Sequence, residues 1–238
     1  IDYLYSIKLI KDIFNFYSKP AITFFTRKMK WYSDRLEFEM AQNYKDKIFN
    51  IKKIDTLIKP LKTIGLRERT EELKSLLSLK FTPTVIDAFD NSHTAGSDAV
   101  CGMVRFTLLQ ADKSQWRKFN IKSGSGGDDY ASFDEVLRRR FKRLIEEKTQ
   151  LPNLIIIDGA RPQLNVAISI IKEFGIEDKL DVISISKNEK HQAETIHLSS
   201  GSDISIKGFK ELAHILNEVH RFSLDFHRKK RTKSLFKK

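Results

Sequence analysis

Three acidic positions and one histidine stand where a carboxylate-based catalytic site would need them. Asp90 and Asp158 each end a short, mostly apolar run, while Asp129, with Asp128 before it, opens a helical pattern. His220 lies within another helical pattern near the end of the sequence. Functional groups gather at the carboxyl ends of strands in α/β sheets, and a carboxylate on an apolar face needs a neutralising partner. The pattern therefore indicates a site in which carboxylates hold Mg²⁺ or Mn²⁺ and a phosphodiester is hydrolysed.

Each of these residues also has a purely structural interpretation. Asp158 precedes Gly159 and could end its strand in a turn, and either Asp128 or Asp129 could cap the helix that follows. His220 falls on or beside the apolar stripe of its helix, where a lone histidine is more often a core residue. Spacing and composition alone indicate a basic α/β protein with a candidate carboxylate metal site.

The charge of the chain points to an anionic partner. The 238 residues carry a formal net charge of +12, with a pI near 9.6, which most often means a nucleic acid. Residues 221–238 hold eight Lys or Arg and one Asp, and this concentration favours a contact surface over a merely lysine-rich composition. A second basic run, 138–143, could be only a solvated helix face. The side chains expected to contact phosphates are Arg139, Arg140, Arg161, Lys187, Arg221, Arg228, Lys229, Lys230 and Arg231.

Composition excludes several classes of protein. The single cysteine, Cys101, excludes an internal disulfide and a cysteine-based zinc site. No signal peptide and no apolar run near eighteen residues are evident, so no membrane partner and a cytoplasmic location are expected. Residue 1 is Ile, which indicates a piece of a longer protein.

The first third of the sequence predicts helices. Residues 1–58 show no strand alternation, and 22–55 is expected to form a helical hairpin whose apolar stripe either meets a partner or packs on this chain. Pro60 and Gly65 interrupt the following segment, so 59–80 is expected to be a connector with one short helix at 71–79.

From residue 81 onward the pattern changes to strands. Segments 84–90, 99–109 and 115–121 predict an antiparallel meander, and a helix beginning at 128 or 129 follows. Strand 154–157, helix 162–174, strand 182–186 and helix 209–227 come next, with a hairpin at 194–198 and 204–206. Segment 154–157 is continuously apolar, as in a strand buried on both faces. The sequence thus predicts an α/β domain, 81–238, with a mixed sheet flanked by helices on both faces and a basic tail.

Four separated segments carry a family resemblance. They read Asp87-Ala-Phe-Asp-Asn-Ser-His-Thr, Gly127-Asp-Asp-Tyr-Ala-Ser, Leu154-Ile-Ile-Ile-Asp-Gly and Glu218-Val-His-Arg-Phe. In this order they resemble the C-terminal endonuclease half of the UvrC family, the incision subunit of bacterial nucleotide excision repair. The likeness runs from about residue 71 to 227. The segment Leu36-Glu-Phe-Glu-Met-Ala-Gln-Asn-Tyr-Lys-Asp-Lys-Ile similarly resembles the UVR motif, by which UvrC docks on UvrB.

The resemblance implies an RNase H-like fold that makes the 5′ incision on the damaged strand of double-stranded DNA with Mg²⁺ or Mn²⁺. It implies that Asp90 and Asp158 are catalytic metal ligands, that Asp129 is also catalytic, and that His220 stands where ribonuclease H has a carboxylate. In the hairpin it implies an apolar contact with UvrB through Phe38, Met40, Tyr44 and Ile48.

One departure from the family falls at the strand-end loop. The family usually continues Gly-Lys-Gly-Gln after its Asp-Gly pair, whereas this chain has Ala160-Arg-Pro-Gln. Two other functions stay open at this point. The same fold could serve as a non-catalytic adaptor that binds UvrB and DNA, or as a ribonuclease H directed to RNA.

Overall fold

The computed structural model describes residues 7–8, 18–92, 100–121, 129–188 and 192–235. The chain divides into two compact units, Ile1–Leu66 and Arg67–Lys238. The division falls inside one long helix, so the two units are described separately below.

The first unit contains a helical hairpin. Helix α1 spans Lys19–Ser33 and helix α2 begins at Phe38, with Leu36 at positive φ in the turn between them. The ring of Tyr44 on α2 stacks on that of Tyr32 on α1, with centroids 5.5 Å apart. The apolar cluster between the helices is small, with Ala21 and Ile51 buried and Ile22, Phe24 and Phe25 half-buried against them, and such packing is what stabilises helices of this length.

Helix α2 spans Phe38–Leu76 and therefore runs through the predicted connector. The prediction of a connector with only a short helix in 59–80 is wrong, because Pro60 lies inside the helix. A proline removes one main-chain hydrogen bond and crowds the preceding turn, whereas the surrounding Leu, Lys, Arg and Glu residues all favour helix. Their summed preference outweighs the local penalty here.

The second unit is built on an eight-stranded mixed sheet. Its spatial order is β3-β2-β1-β5-β6-β7-β8, and β4 pairs with β2. The central pairs β1/β5 and β5/β6 are parallel, and the outer pairs are antiparallel. The strands are β1 Val85–Ser92, β2 Val100–Thr107, β3 Gln110–Ala111, β4 Arg117–Asn120, β5 Leu154–Asp158, β6 Asp181–Lys187, β7 Ala193–Leu198 and β8 Asp203–Ser205.

Helices cover both faces of this sheet. Helices α3 (Asp129–Glu146) and α4 (Arg161–Glu173) pack over one face, against inward residues such as Ile155 of β5. Helix α5 (Lys210–Leu235) packs over the other face, against residues such as Ile156. Successive side chains of β5 thus serve two cores, which explains its continuously apolar sequence. The predicted fold class, a mixed sheet flanked by helices, is confirmed.

A buried ionic cluster ties three elements together on the α3 side of the sheet. Asp87 of β1 accepts two hydrogen bonds from Arg105 of β2, at 2.6 and 2.9 Å, and further bonds from Arg140 of α3 at 3.1 and 3.3 Å. All three residues are buried. The prediction that Arg140 contacts DNA is therefore wrong, since its guanidinium is enclosed and engaged by a carboxylate.

None of the helices that the structure describes is both long and apolar enough to cross a membrane.

Candidate active site

Two neighbouring parallel strands place Asp90 and Asp158 side by side. Phe89 of β1 pairs with Ile157 of β5, so the next residue of each strand is an aspartate at the same level of the sheet. Both aspartates lie on the face that α5 covers, because alternate residues of a strand share a face. The carboxyl end of the parallel core thus carries two adjacent carboxylates, as the strand-end rule predicts.

Helix α5 brings a histidine to this pair. The Nδ1 atom of His220 lies 3.3 Å from an Oδ atom of Asp90, and the imidazole is half-exposed. Possible ligand atoms of Asp90, Asp158 and His220 all lie within 4.8 Å of one another. We refer to these three residues as the trio. The alternative interpretation of His220 as a core residue does not hold, because its ring faces the carboxylates and solvent.

A close approach between α5 and the sheet fixes the position of His220. Ser223, three residues further along α5, is fully buried and donates a hydrogen bond of 3.1 Å to the main-chain oxygen of Asp90. Opposite it lies Gly102 of β2, which pairs with Asp90. A Cβ atom on Gly102 would lie 2.2 Å from Ser223 Oγ and 3.2 Å from Ser223 Cα. Glycine at this position therefore allows the helix to lie close enough for His220 to reach Asp90.

Gly102 and Ser223 were missed from the sequence, although signals for both exist. A glycine inside a strand often marks a close approach of another backbone. A small polar residue three positions after a site histidine lies on the same helix face.

The electrostatics of the trio are dominated by the buried carboxylate. Asp90 is only 4% exposed, and its pKa is raised from 3.8 to about 6. Burial is the main cause and repulsion from Asp158 is the second, while His220, Lys187 and a hydrogen bond from Ser223 act in the opposite direction. Two carboxylates held together in this way favour a nearby cation.

Lys187 supplies one positive charge to the site. It ends β6, and its ammonium donates a hydrogen bond of 2.5 Å to an Oδ atom of Asp158. The sequence predicted that Lys187 contacts DNA, and the structure places it on a carboxylate at the edge of the trio. One ammonium group leaves two carboxylates only partly compensated, since Asp90 still has a raised pKa.

The donor set of the trio fits a hard divalent cation. It combines two carboxylates, one of them buried, with an imidazole, and their atoms are close enough to share one ion. Mg²⁺ and Mn²⁺ prefer oxygen ligands, and Mn²⁺ also accepts an imidazole nitrogen. Asp90 and Asp158 would hold the ion, with His220 at its side.

Helix α3 begins at Asp129, but its side chain lies outside the described residues, as does Asp128 altogether. A catalytic role for Asp129 stays a prediction.

The remaining predicted phosphate contacts have different surroundings. Arg139 pairs with Glu135 and with the main-chain oxygen of Asn120. Arg161 pairs with Asp203 and with two main-chain oxygens at 201 and 202. Arg221 is exposed, with Glu218 as its partner. The side chains of Arg228, Lys229, Lys230 and Arg231 lie outside the described residues, although α5 runs through these positions.

The predicted docking residues of the hairpin do not share one environment. Phe38 and Met40 are exposed, at 64% and 42%, and Ile48 is half-buried. Tyr44 is buried in the hairpin itself. The predicted contact of Tyr44 with UvrB thus concerns a ring that already packs on Tyr32 inside the hairpin.

One known protein family matches this chain. The family model described as the UvrC RNAse H endonuclease domain matches residues 74–224, well over half of the sequence.

This chain belongs to the UvrC RNase H endonuclease domain family.

Curated relatives agree with this membership. The chain is 40% identical over 168 residues to the UvrABC system protein C of Bacteroides fragilis, and 40% identical over 172 residues to that of Bacteroides thetaiotaomicron. Each alignment covers 68% of this chain and 27% of the relative. The chain thus spans about a quarter of the length of these UvrC proteins. The hairpin lies outside the range that the family model matches.

Two solved structures are similar at a lower level. The catalytic domain of human endonuclease V has a TM-score of 0.41 and 12% identity, covering 72% of this chain and 98% of that chain. Endonuclease V from Streptomyces avermitilis has a TM-score of 0.33 and 14% identity, covering 59% and 73%. Similarity this low says nothing about substrate.

Proposed function

We propose that this UvrC-family chain is a metal-dependent endonuclease that hydrolyses a phosphodiester bond of DNA at the trio. The observation that carries the proposal is the convergence of Asp90, Asp158 and His220, whose ligand atoms lie within 4.8 Å of one another. An adaptor that only held DNA would be disfavoured by two clustered carboxylates, since they repel phosphates.

The residues of the trio have two roles, which are metal binding and proton transfer. A Mg²⁺ or Mn²⁺ ion bound there would activate water and stabilise the leaving oxygen. Asp90 and Asp158 would hold the ion. His220 faces Asp90 through Nδ1 at 3.3 Å, so a proton on Nδ1 would leave Nε2 as the acceptor. The half-exposed imidazole is then placed to take or give a proton next to the scissile phosphate.

Lys187 has a second task in this proposal. Its ammonium neutralises Asp158 at 2.5 Å in the protein alone. With Asp158 holding a metal ion, the ammonium of Lys187 would be available at the rim of the site for another anion. It then stands beside the position of the bound phosphodiester, where a positive charge favours the substrate.

Membership of the UvrC family suggests the biological setting. We propose that the chain makes the 5′ incision on the damaged strand during nucleotide excision repair, in the bacterial cytoplasm. UvrB is the proposed partner, bound through the exposed Phe38 and Met40 of the hairpin. Arg161, Arg221 and the cationic residues 228–231 at the end of α5 are the proposed DNA contacts, with Arg139 at the edge of the α3 face.

The decisive experiment compares substrates and metals. Single-turnover cleavage is followed on a damaged duplex with UvrA and UvrB, on the same duplex alone, and on an RNA–DNA hybrid. Mg²⁺ and Mn²⁺ should support a 5′ nick in the damaged strand, and chelation by EDTA should abolish it. Cutting of the hybrid alone would indicate a ribonuclease H.

The matched variants for this assay are Asp90→Asn and Asp225→Asn. Asp90→Asn should reduce the nicking rate on the order of a hundredfold or more, the scale expected when a group acting in the transition state is lost. Asp225 is exposed on α5 and lies outside the trio, so its replacement should leave the rate unchanged. Nicking at the parent rate by a folded Asp90→Asn protein would show that this site is not the nuclease and would favour the adaptor.

A further inference from the structure

A cavity of about 530 Å³ opens directly beside the trio. One wall is a single face of α5, formed by Ala213, Leu216 and Asn217. The opposite wall comes from Ala193 at the start of β7 and from Ile206 just after β8. Its size lies within the range that buries a small organic ligand.

The cavity and the trio share two side chains. Lys187 and His220 line the cavity, and the same two residues contact Asp158 and Asp90. From His220 back to Ala213 the helix rises by roughly 10 Å, at 1.5 Å per residue. A phosphodiester held at the trio would therefore have the next sugar and base of its strand at the mouth of this cavity.

The lining suits a flat ring that is attached to an anion. Lys187 and His220 stand at the end nearest the trio, and none of the lining residues that the structure describes is acidic. The side chains of Asn217 and Gln192 offer both donors and acceptors, whereas the remaining walls are aliphatic. Nucleobases combine apolar faces with a polar edge of donors and acceptors, and amide side chains match such edges.

A second cavity in the same unit shows the contrast. It measures about 340 Å³ and lies at the opposite end of β6, where Asp181 begins the strand. Two acidic residues, Glu177 and Asp181, line it together with two lysines, Lys80 and Lys172, so its lining has no net charge to attract a phosphate-bearing ligand. Of these two cavities, the one beside the trio therefore has the charge and the location for a nucleotide.

We infer that the cavity receives the base of a nucleotide flanking the scissile phosphate, turned out of the base stack. This inference rests on the proposed nuclease function and adds a substrate subsite to it. The two amides offer both donors and acceptors, and the aliphatic walls do not distinguish one ring from another. The subsite therefore takes any base. Its contribution is to hold the strand in register over Asp90 and Asp158.

The test compares two ligands of equal charge. Binding of pentathymidylate and of a pentamer with the same phosphates but abasic sugars is measured in EDTA by fluorescence anisotropy. The parent chain should bind pentathymidylate about tenfold more tightly, because only a base can bury apolar surface and form hydrogen bonds in the cavity. Ala213→Phe fills the cavity and should erase this ratio, while affinity for the abasic pentamer stays near the parent value.

The matched control is Ala111→Phe, the same change at an exposed position on β3 at the edge of the sheet. It should keep the tenfold ratio. Ala193→Phe fills the cavity from the opposite wall, where a strand accommodates an aromatic residue, and it carries the test if Ala213→Phe does not fold. Circular dichroism establishes folding for each variant.

The outcomes separate this inference from the proposed function. A parent without base preference, or a folded cavity-filling variant that keeps it, overturns the base subsite whether or not the chain cuts DNA. A base preference that Ala213→Phe removes supports the subsite even if the cleavage assay is negative, because no metal or cutting enters the binding measurement.

Discussion

Ser223 donates its hydroxyl hydrogen bond to the main-chain oxygen of Asp90 at 3.1 Å, and so joins α5 to β1 inside the candidate active site. The hydrogen bond is possible because residue 102 is a glycine, which has no Cβ atom to clash with Ser223. It links the position of His220 to the packing of a helix against a sheet.

Gly102→Ala should displace α5 and slow cleavage. The new Cβ would lie 2.2 Å from Ser223 Oγ, which must move and give up its bond to Asp90. We expect a loss of roughly 1–3 kcal/mol in the free energy of unfolding, as for other overpacked cores. Cleavage should fall by about tenfold to a hundredfold, since misplacing a catalytic group by 1 Å has that effect. Urea unfolding and single-turnover cleavage measure the two.

A double variant provides the control. Ser223→Ala in the Gly102→Ala background removes the clashing oxygen and should recover part of the cleavage rate. If the double variant is no faster than Gly102→Ala alone, the clash is not the cause.

His220→Ala should act on chemistry and metal binding, with little effect on DNA binding. Cleavage is expected to fall on the order of a hundredfold. Affinity for a duplex should change little, because one imidazole contributes little beside the proposed Lys and Arg contacts to phosphates. Titration calorimetry should show weaker Mn²⁺ binding. His214→Ala is the matched control, since His214 is an exposed residue on the same helix outside the trio. Equal effects of both changes would mean that His220 acts only through the helix.

Asp90→Asn should stabilise the fold in the absence of metal. The folded-state pKa of about 6 lies above the unfolded value of 3.8, so the folded protein binds more protons in that window. Stability therefore falls as pH rises from about 4 to 6, and the cost is fully present above pH 6. An uncharged Asn escapes this cost and should gain about 1–3 kcal/mol at pH 7.5.

Urea unfolding in EDTA across pH 4 to 8 measures this gain. It should shrink toward zero near pH 4, where the carboxyl is protonated in both states. A gain that is independent of pH would show that repacking is the cause, and charge is not.

Replacing Lys229, Lys230 and Arg231 by Ala should reduce the salt dependence of DNA binding. Each phosphate contact contributes about 0.9 to the slope of log affinity against log salt, because it releases a counterion. The triple change should flatten the slope by roughly two to three units. Anisotropy titrations on a duplex at several salt concentrations measure the slope.

A control triple lies on the other face of the sheet. Lys142 and Arg143 are exposed near the end of α3 and have acidic partners, and Lys148 is exposed just after the helix. Their replacement by Ala should leave the slope unchanged. A parental slope in the 229–231 variant would show that this segment is only a solvated charge run.

Two substitutions in the hairpin distinguish an exposed residue that would contact UvrB from a buried residue that stabilises the hairpin. Phe38→Ala removes an exposed ring and should weaken UvrB binding by about 1–3 kcal/mol without loss of stability, if the ring is a central anchor. Tyr44→Ala should instead lower the stability of the hairpin, because its ring stacks on Tyr32. Calorimetry with UvrB and thermal unfolding distinguish the two effects. Ile145→Ala, at an exposed apolar position of the other unit, should change neither UvrB affinity nor the stability of the hairpin. UvrB binding that survives Phe38→Ala unchanged would contradict the proposed contact of Phe38 with UvrB.

The sequence predicts the two strand-end aspartates because one general rule places them. The carboxyl ends of parallel strands meet at one edge, so Asp90 and Asp158 converge whatever the details of packing. The placement of His220 depends as well on the register of α5, which is determined by the close approach of Ser223 to Gly102 and by its hydrogen bond to Asp90, 133 residues away in the sequence. Composition does not contain that information.

The errors have physical causes of the same kind. Arg139 and Arg140 look alike in the sequence, yet successive helix positions point about 100° apart. Only Arg140 meets Asp87, which lies 53 residues away. At Pro60 a local breaker signal was outweighed by the residues around it.

The cluster of Asp87, Arg105 and Arg140 has a consequence for the order in which the domain folds. Its members belong to β1, β2 and α3, so the three charges can leave water together only when all three elements have docked. A folding intermediate that pairs the strands without α3 keeps Arg140 hydrated. The docking of α3 is therefore the step at which this core becomes dry, and a change of Asp87 would trap the chain before it, with two arginines unable to enter.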